Sequence, residues 1–497
     1  MDEVASRLSS LALTENNIVV IIGLESAPQY NYRAARVLSA QTSDRGRLGV
    51  ELLHGEAPKK RLSVRRCNLL RASHPEDRAA LMTRLVLDRQ LELRVCRNFL
   101  LEHLQGEEGL LLHIASFFPP RETMALTTGF AMGRIVPSWV CATLRGGRRL
   151  GWHPIHDGRA GWDGADVPVE GEKPVTDGIV RIDCAVVSIG SGQFVVAGGC
   201  SDHPSRARKF FASAFLYDAL THVATPLPDM PHPRHGCKGA YLDGKVYVVG
   251  GDYCTNSPEK CLCCVLDLQT RTWSNLQADS TRALSGQHVA FCPVGAIDGR
   301  VVFFHACSII AYNPFFPDHG WVCLNSRIKH STPQPLLGRN ACEGVEWGRH
   351  FVISSGRGGS EKCEVMAFSF LNGPRSSYDL QDVDPNVWAK GVWADLGPTG
   401  PTGRVGCGLA VVQNRLYVSG GVDEGDDSGH AFDGSVAKWS GTLEDLPKTE
   451  GEDAARDAIE QVVTNCRRPW HKVEELHLPT AMHAHSAITI PWLPSSA

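Results

Sequence analysis

Alternating hydrophobic and polar positions that run into paired glycines recur along the C-terminal two-thirds of the chain. Three copies read GQFVVAGG at 192–199, GKVYVVGG at 244–251 and NRLYVSGG at 414–421. Weaker copies at 299–308 and 348–359 keep the alternation but lose the glycine pair. Alternation with a period of two predicts half-buried strands. A glycine pair at the end of a strand predicts a positive φ or a neighbour too close to admit a Cβ.

Each copy belongs to a larger unit. A strand-like run precedes it, and an aromatic or aliphatic run ending near a tryptophan or an equivalent residue follows it. Several short strands in a repeat of about fifty residues are typical of kelch-type propellers. Residues 175–497 therefore resemble the kelch family, and the fold class we expect is mainly β. The resemblance implies four-stranded blades, with tryptophan side chains filling the wedges between successive sheets.

The number of blades is left open between five and six. Five units are visible, and the C-terminal run MHAHSAITIPW has the pattern of one more opening strand. It either closes the first blade or starts a sixth that residues around 150–175 complete, and we expect six. Residues 441–469 are predicted to be a surface insertion within the last blade.

Residues 16–72 are predicted to form a small β-barrel. Four or five short strand-like runs alternate with Asn, Ser, Asp and Gly turns, and their order resembles Tudor-like modules. The run KKRLSVRR brings five basic residues together, Lys59, Lys60, Arg61, Arg65 and Arg66. They form either a patch for nucleic acid or an acidic peptide, or the solvated side of a hairpin that keeps an edge strand soluble.

Residues 75–145 are predicted to be a short helical segment, because apolar residues recur there at near-helical intervals. The run EEGLLLHIASFFPPRETMAL resembles an F-box, although it lacks the usual leading Leu-Pro. The resemblance implies binding to a Skp-type adaptor. The residues that would make this contact are Ile114, Phe117, Phe118, Pro119 and Leu126. The alternative is a helical spacer.

An arginine recurs shortly before the first strand of successive blades. The four arginines are Arg234, Arg282, Arg339 and Arg404. Equivalent positions in a propeller form a ring, and a ring of guanidiniums suits carboxylate or phosphate groups. The alternative is that each arginine ties neighbouring blades together through backbone carbonyls. The loops after the paired glycines would add to a partner-binding surface through Ser201, Asp252, Tyr253 and Arg357.

Composition narrows the function classes. The chain has 497 residues, of which 49 are glycines. Its net charge is −4, so its overall charge does not favour binding to nucleic acid or to an anionic membrane. No run approaches the roughly 20 apolar residues that span a bilayer. The 17 cysteines are scattered rather than spaced as a disulfide framework. These features predict reduced thiols and a location in the cytoplasm or nucleus.

Signatures of catalysis and of cofactor binding do not emerge from the sequence. No phosphate loop, HExxH or GxSxG motif occurs. Four thiols, Cys254, Cys261, Cys263 and Cys264, could bind Zn²⁺ tetrahedrally. Strand alternation, however, places Cys263 and Cys264 on opposite faces and favours structural thiols. We expect neither an enzyme nor a cofactor or metal.

The sequence therefore predicts an interaction protein. Its propeller would capture a protein partner, acidic or phosphorylated if the arginines form a ring, as the substrate receptor of a cullin–RING ubiquitin ligase. The alternatives are a kelch scaffold outside any ligase and, less favoured, a kelch-fold enzyme.

Overall fold

The fold is known from a computed structural model of the chain. It describes residues 13–24, 26–27, 30–31, 33–39, 46–53, 60–71, 74, 77–78, 80–81, 122–126, 129–131, 134–136, 140–143, 151–154, 181–201, 209–219, 221, 223–251, 263–276, 289–305, 308–324, 343–354, 364–370, 391–398, 404–423, 431–432, 436–446, 470–473 and 487–491. Within these ranges no helix is both long and apolar enough to cross a bilayer.

The N-terminal unit is a five-stranded antiparallel sheet. Its strands are β1 (Ile18–Ile21), β2 (Ala34–Val37), β3 (Arg47–Leu52), β4 (Arg61–Arg65) and β5 (Leu69–Arg71). They are ordered β4-β3-β2-β1-β5, with a short 3-10 turn joining β4 to β5. Alternate residues such as Val19, Val37 and Val50 are fully buried and form one apolar cluster. The predicted strands are present, and the likeness to Tudor modules stays a prediction.

Strands also occupy residues 122–154, where the sequence predicted helices up to residue 145. They are β6 (Glu122–Leu126), β7 (Gly129–Ala131), β8 (Arg134–Val136), β9 (Val140–Thr143) and β10 (Gly151–Pro154). The helical prediction is therefore wrong for the described residues between 122 and 143. Residues 77–78 and 80–81 do have helical backbone, and 82–121 lie outside the described residues.

Five four-stranded antiparallel blades follow along the chain. Blade 2 contains β11 (Ala185–Gly190), β12 (Gln193–Ala197), β15 (Ala214–Asp218) and β16 (Val223–Leu227), with a small hairpin of β13 (Cys200–Ser201) and β14 (Lys209–Phe210). Blade 3 contains β17 (Lys238–Leu242), β18 (Lys245–Val249), β19 (Cys263–Asp267) and β20 (Thr272–Leu276). Blade 4 contains β21 (Val294–Ile297), β22 (Arg300–His305), β23 (Ser308–Tyr312) and β24 (Trp321–Leu324).

The last two of these blades carry the longest connections. Blade 5 contains β25 (Gly344–Trp347), β26 (His350–Ser354), β27 (Glu364–Phe370) and β28 (Gly391–Pro398). Blade 6 contains β30 (Gly408–Val412), β31 (Arg415–Ser419), β34 (Val436–Trp439) and β35 (Trp470–Lys472). Beside it lies a three-stranded sheet of β29 (Arg404–Val405), β32 (Val422–Asp423) and β33 (Ala431–Phe432).

The C-terminal strand completes blade 1. Strand β36 (Ala487–Pro491) pairs antiparallel with β6, and the sheet is ordered β10-β9-β6-β36. The predicted opening strand at the C-terminus is therefore present. Its partners are residues 122–154 rather than the predicted 150–175. Six four-stranded sheets thus occur within the described residues, and the fold is mainly β with a kelch-type propeller.

Local chemistry explains the strand pairs. The first and second strands of blade 3 are joined by Asp243 and Gly244, whose φ angles are 48° and 75°. Asp298 and Gly299 repeat this geometry in blade 4. Positive φ at both central residues marks the tight turn whose twist matches a hairpin, and Asp-Gly adopts it readily. The polar turn before each glycine pair therefore sets the hairpin register.

Apolar clusters fill the wedges between blades, as the sequence predicted for the tryptophans. Trp321 packs in the cluster shared by blades 3 and 4, and Trp393 in the one shared by blades 4 and 5. Trp347 of blade 5 meets Trp439 of blade 6 edge to face, with ring centroids 5.7 Å apart. The first strands contact one another in the order β11, β17, β21, β25, β30 and β36, and this row of strands is here called the inner ring.

Candidate partner-binding face of the propeller

The loops before each first strand and those after each second strand meet on one side of the propeller, here called the loop face. The amide of Gly199 in blade 2 donates to the carbonyl of Arg234 at the entry to blade 3, at 2.7 Å. The amide of Gly251 in blade 3 donates to the carbonyl of Val289 at the entry to blade 4, also at 2.7 Å. These matching bonds identify Arg234 and Val289 as equivalent positions.

The paired glycines are required by this contact. Gly250 and Gly251 have φ of +70° and +98°. A Cβ on Gly250 would lie 1.9 Å from the carbonyl oxygen of Val289. No side chain fits at that distance, so the glycine pair lets one blade approach the entry strand of the next. The close approach predicted from the repeated Gly-Gly is confirmed.

Arg234 is a buried residue of the blade rather than a surface ligand. It is 0% exposed. Its Nη1 donates to the carbonyl of Gly250 at 3.0 Å, and its Nη2 lies 3.0 Å from Sγ of Cys264. The partner-binding role predicted for Arg234 is therefore wrong, because its guanidinium is consumed within the blade. The alternative, that the arginine ties neighbouring blades together through backbone carbonyls, is right about the carbonyl bond, but both contacts of the guanidinium lie within blade 3.

Arg181 does the same in blade 2, although it was absent from the predicted ring. It is 1% exposed, and its Nη1 donates to the carbonyls of Gly198 at 2.7 Å and Ser213 at 2.8 Å. Its guanidinium lies over the ring of Phe211, 4.7 Å from the centroid. Burial lowers the pKa of Arg181 below its usual value. The missed signal is the spacing Arg-x-x-Cys, present at Arg181 and again at Arg234.

Of the other three predicted arginines, two have the Arg-x-x-Cys spacing and one does not. Arg339 and Arg404 each precede a cysteine by three residues, as Arg234 does, whereas Arg282 lies ten residues before Cys292. The backbone of Arg404 pairs with Asp423 in the small sheet beside blade 6. Val289 occupies the equivalent position in blade 4, so Arg282 is not a member of the set. Arg282 and Arg339 lie outside the described residues.

Of the four loop residues predicted to bind a partner, the structure describes one. Ser201 is in β13, where its backbone pairs with Lys209. Asp252, Tyr253 and Arg357 lie outside the described residues, and their partner-binding role stays a prediction.

Of the five residues predicted to bind an adaptor, one lies among the described residues and four do not. Leu126 ends strand β6, and its backbone pairs with Ala487 and Val140 inside blade 1. Its predicted place in a helical adaptor-binding segment is therefore wrong. Ile114, Phe117, Phe118 and Pro119 lie outside the described residues.

A buried ion pair crosses the inner ring near the loop face. The ammonium of Lys238, at the start of β17, bonds to the carboxylate of Glu343, just before β25. Their side chains are 15% and 13% exposed. Burial alone would lower the pKa of Lys238, but the carboxylate of Glu343 outweighs this and raises it. The pair joins blades 3 and 5 across blade 4.

Aromatic rings and one thiol complete the described part of the loop face. His235 stacks on Phe210 with centroids 4.2 Å apart and meets Phe291 edge to face at 5.9 Å. In blade 4, Sγ of Cys292 lies 3.4 Å from Nδ1 of His305, which takes the place of the first glycine. Burial raises the pKa of Cys292 to about 12 and lowers that of His305, so both groups are neutral near pH 7.

The cysteine cluster considered for zinc follows strand alternation. Cys263 packs in the apolar cluster between blades 3 and 4, while Cys264 contacts Arg234 and Asn275 on the other side. Both are buried thiols that form no disulfide. Their predicted placement on opposite faces is confirmed. Cys254 and Cys261 lie outside the described residues.

Comparisons with known proteins point to plant kelch proteins. The chain is 32% identical over 152 residues to a putative F-box/kelch-repeat protein of Arabidopsis thaliana, covering 29% of this chain and 36% of that protein. It is 28% identical over 131 residues to a kelch repeat-containing protein of the same plant, covering 26% of this chain and 30% of the relative. Over 85 residues it is 35% identical to a further F-box/kelch-repeat protein from that source, covering 16% of this chain and 19% of that protein.

The matches are partial. The chain spans about a third of the length of the first two relatives. No family model matches it. Blade architecture and the partial sequence matches agree on the fold, which is a kelch-type propeller in a chain similar to F-box/kelch-repeat proteins.

Proposed function

We propose that the chain is a protein-interaction module and the substrate receptor of a cullin–RING ubiquitin ligase. The propeller would capture a protein partner on the loop face, and the segment before blade 1 would recruit a Skp-type adaptor. The observation that carries the proposal is a kelch-type propeller in a chain similar to proteins named F-box/kelch-repeat. The adaptor segment is restricted to residues 75–121, because β6 belongs to blade 1.

The partner surface in this proposal differs from a ring of arginines. Arg181 and Arg234 are turned into their blades, so the charge that would select an acidic or phosphorylated partner has to come from other arginines, and we propose Arg282 and Arg357, which do not precede a cysteine by three residues. Loop residues that follow the second strands then carry the specificity, since the blades themselves are scaffold.

Binding of purified full-length chain to a purified Skp-type adaptor tests the proposal directly. Wild type and Arg282→Ala/Arg357→Ala should retain the adaptor, and Phe117→Asp/Phe118→Asp should lose it while its urea midpoint stays that of wild type. Capture from a eukaryotic lysate should then recover a cullin with wild type. Absence of any adaptor complex with the folded wild-type chain would overturn the ligase role.

A scaffold outside any ligase is the second candidate. It is favoured by the position of Leu126 inside blade 1 and by the match to a relative named for kelch repeats alone. The same experiment separates the two candidates. A scaffold would capture a partner that Arg282→Ala/Arg357→Ala removes, and would bind no adaptor.

A further inference from the structure

We propose that the outer face of the N-terminal sheet binds the phosphate backbone of a nucleic acid. This surface, here called the basic face, is formed by the outward side chains of strands β2, β3 and β4. Its charged residues are Arg36, Arg47, Arg61, Arg65 and Glu51.

The strand register brings four arginines onto this one surface. Arg36 pairs with Glu51, and Glu51 pairs with Arg61. Arg47 pairs with Arg65 at the other end of the same two strands. Register partners have their side chains on the same face of a sheet. All four arginines are exposed, while alternate residues of the same strands face the buried core.

The structure changes the composition of the patch that the sequence showed. Arg66 turns back, and its Nη1 donates to the carbonyl of Leu69 at 2.8 Å. Lys60 lies over the ring of Tyr30, 4.8 Å from its centroid, and Tyr30 packs against the core side. Arg61 and Arg65 stay on the face. Arg36 and Arg47, distant in sequence, join them there.

Small residues separate the two charged ends. Gly49 pairs with Ser63 between them. A Cβ on Gly49 would meet nothing closer than Cβ of Leu38 at 4.0 Å, so space is open above the strand. Arg47 and Glu51 are four residues apart on β3, which places the ends about 13 Å apart. An extended anion can therefore lie across the middle of the face and contact arginines at both ends.

The charge on this face is strongly positive. Four arginines face one carboxylate, and Arg61 is the residue that Glu51 binds, at 3.0 Å. Arg36 and Arg65 have no acidic partner within the described residues. The net charge of −4 belongs to the whole chain, and for this reason the sequence did not favour nucleic acid. Binding depends on the local field, which arginine forks direct at phosphate oxygens.

A nucleic acid fits this surface better than an acidic peptide does. Peptide and protein interfaces depend on large apolar anchors held in pockets. Of the described residues, Phe315 in blade 4 is the exposed large hydrophobic, and the basic face carries none. Arginine contacts without apolar anchors are typical of binding to a regular phosphate chain. The face also has no aromatic platform for bases, so binding should be insensitive to base sequence.

Fluorescence anisotropy with the full-length chain and a fluorescein-labelled 20-base-pair DNA duplex tests the proposal. With Arg61 neutralised by Glu51, three phosphate contacts predict a slope of log affinity against log salt of about −2.7 between 50 and 200 mM KCl. Arg36→Gln/Arg65→Gln should reduce that slope by about 2 and weaken binding at least about tenfold at 50 mM KCl. The matched control is Lys245→Gln/Lys472→Gln, two exposed lysines of the propeller, and it should bind like wild type.

Three results would overturn the proposal. One is no duplex binding at 50 mM KCl by the folded chain. Another is equal weakening by the arginine and lysine pairs, which would mean a general charge effect. The third is that labelled polyglutamate binds more tightly than the duplex and loses binding with Arg36→Gln/Arg65→Gln. Matching circular dichroism and urea midpoints of all variants would ensure that unfolding does not mimic a loss.

Discussion

Replacing Arg234 distinguishes a buried support of the blade from a partner-binding residue. Arg234→Ala removes the bond from Nη1 to the Gly250 carbonyl and the contact of Nη2 with Cys264, both at 3.0 Å. Hydrogen bonds to charged groups contribute about 1.5–3 kcal/mol each, less for a weak thiol acceptor. The substitution also leaves a cavity at a fully buried site. We therefore expect the free energy of unfolding to fall by about 3–5 kcal/mol.

Arg234→Met separates the two contributions. It keeps most of the side-chain volume but removes both polar contacts, and removal of a buried charge offsets part of the loss. We expect a loss of about 1–3 kcal/mol. Urea unfolding followed by tryptophan fluorescence measures both variants, since Trp273 and Trp321 lie in blades 3 and 4.

Lys245→Ala is the control for Arg234, because Lys245 is exposed in the same blade. It should change stability by no more than about 0.5 kcal/mol. The reasoning fails if Arg234→Ala unfolds at the same urea concentration as wild type. If it then also loses a protein partner, Arg234 belongs to the binding surface after all.

Three further predictions concern pH, module contacts and closure. Burial lowers the pKa of His350 to about 4, so the unfolded chain binds more protons below about pH 6.5. The contribution of His350 to stability should therefore fall by up to roughly 3 kcal/mol from pH 6.5 to 4, while buried Glu346, whose pKa is raised to about 7, acts in the opposite direction. The difference in urea midpoint between wild type and His350→Gln should follow the His350 contribution, and a difference that does not change with pH would refute it. Arg78 bonds to Asp218 of blade 2 at 2.5 Å with both side chains nearly buried, so Arg78→Ala should cost about 3–5 kcal/mol. A double-mutant cycle with Asp218→Ala should show positive coupling, and additive losses would contradict the contact. Deleting residues 487–497 removes the inner strand of blade 1, and the product should aggregate or lose cooperative unfolding; a soluble, cooperatively unfolding product would refute its closing role.

Sequence patterns predicted the repeated part of the fold well, because short-range chemistry dictates it. Gly250 and Gly251 follow an alternating strand, and the polar turn before that strand sets its hairpin. The tryptophans follow from the need to bury both faces of a blade. All of these features are local in sequence, so they could be predicted without knowing which distant strand each segment pairs with.

Part of blade 1 was wrongly predicted to be helical because its strand pairing is distant in sequence. Its strand β6 has no glycine pair, follows an apolar run with near-helical spacing, and finds its inner partner at residues 487–491. A short apolar run fits helix or strand equally well until its neighbour is known. The arginines were misassigned for a related reason. Whether Arg234 points outward or inward depends on Gly250 and Cys264, which reach it only through the fold.

The pairing of β6 with β36 has a consequence for biosynthesis. Roughly 360 residues separate the two strands. At translation rates of about 5–20 residues per second, β6 waits roughly 20–70 s for its inner neighbour to leave the ribosome. During that interval one edge of the nascent sheet carries open backbone groups, which invite pairing with other chains. The nascent propeller is thus an expected client of chaperones that shield strand edges, and slowed synthesis of the C-terminal third would lengthen its exposure.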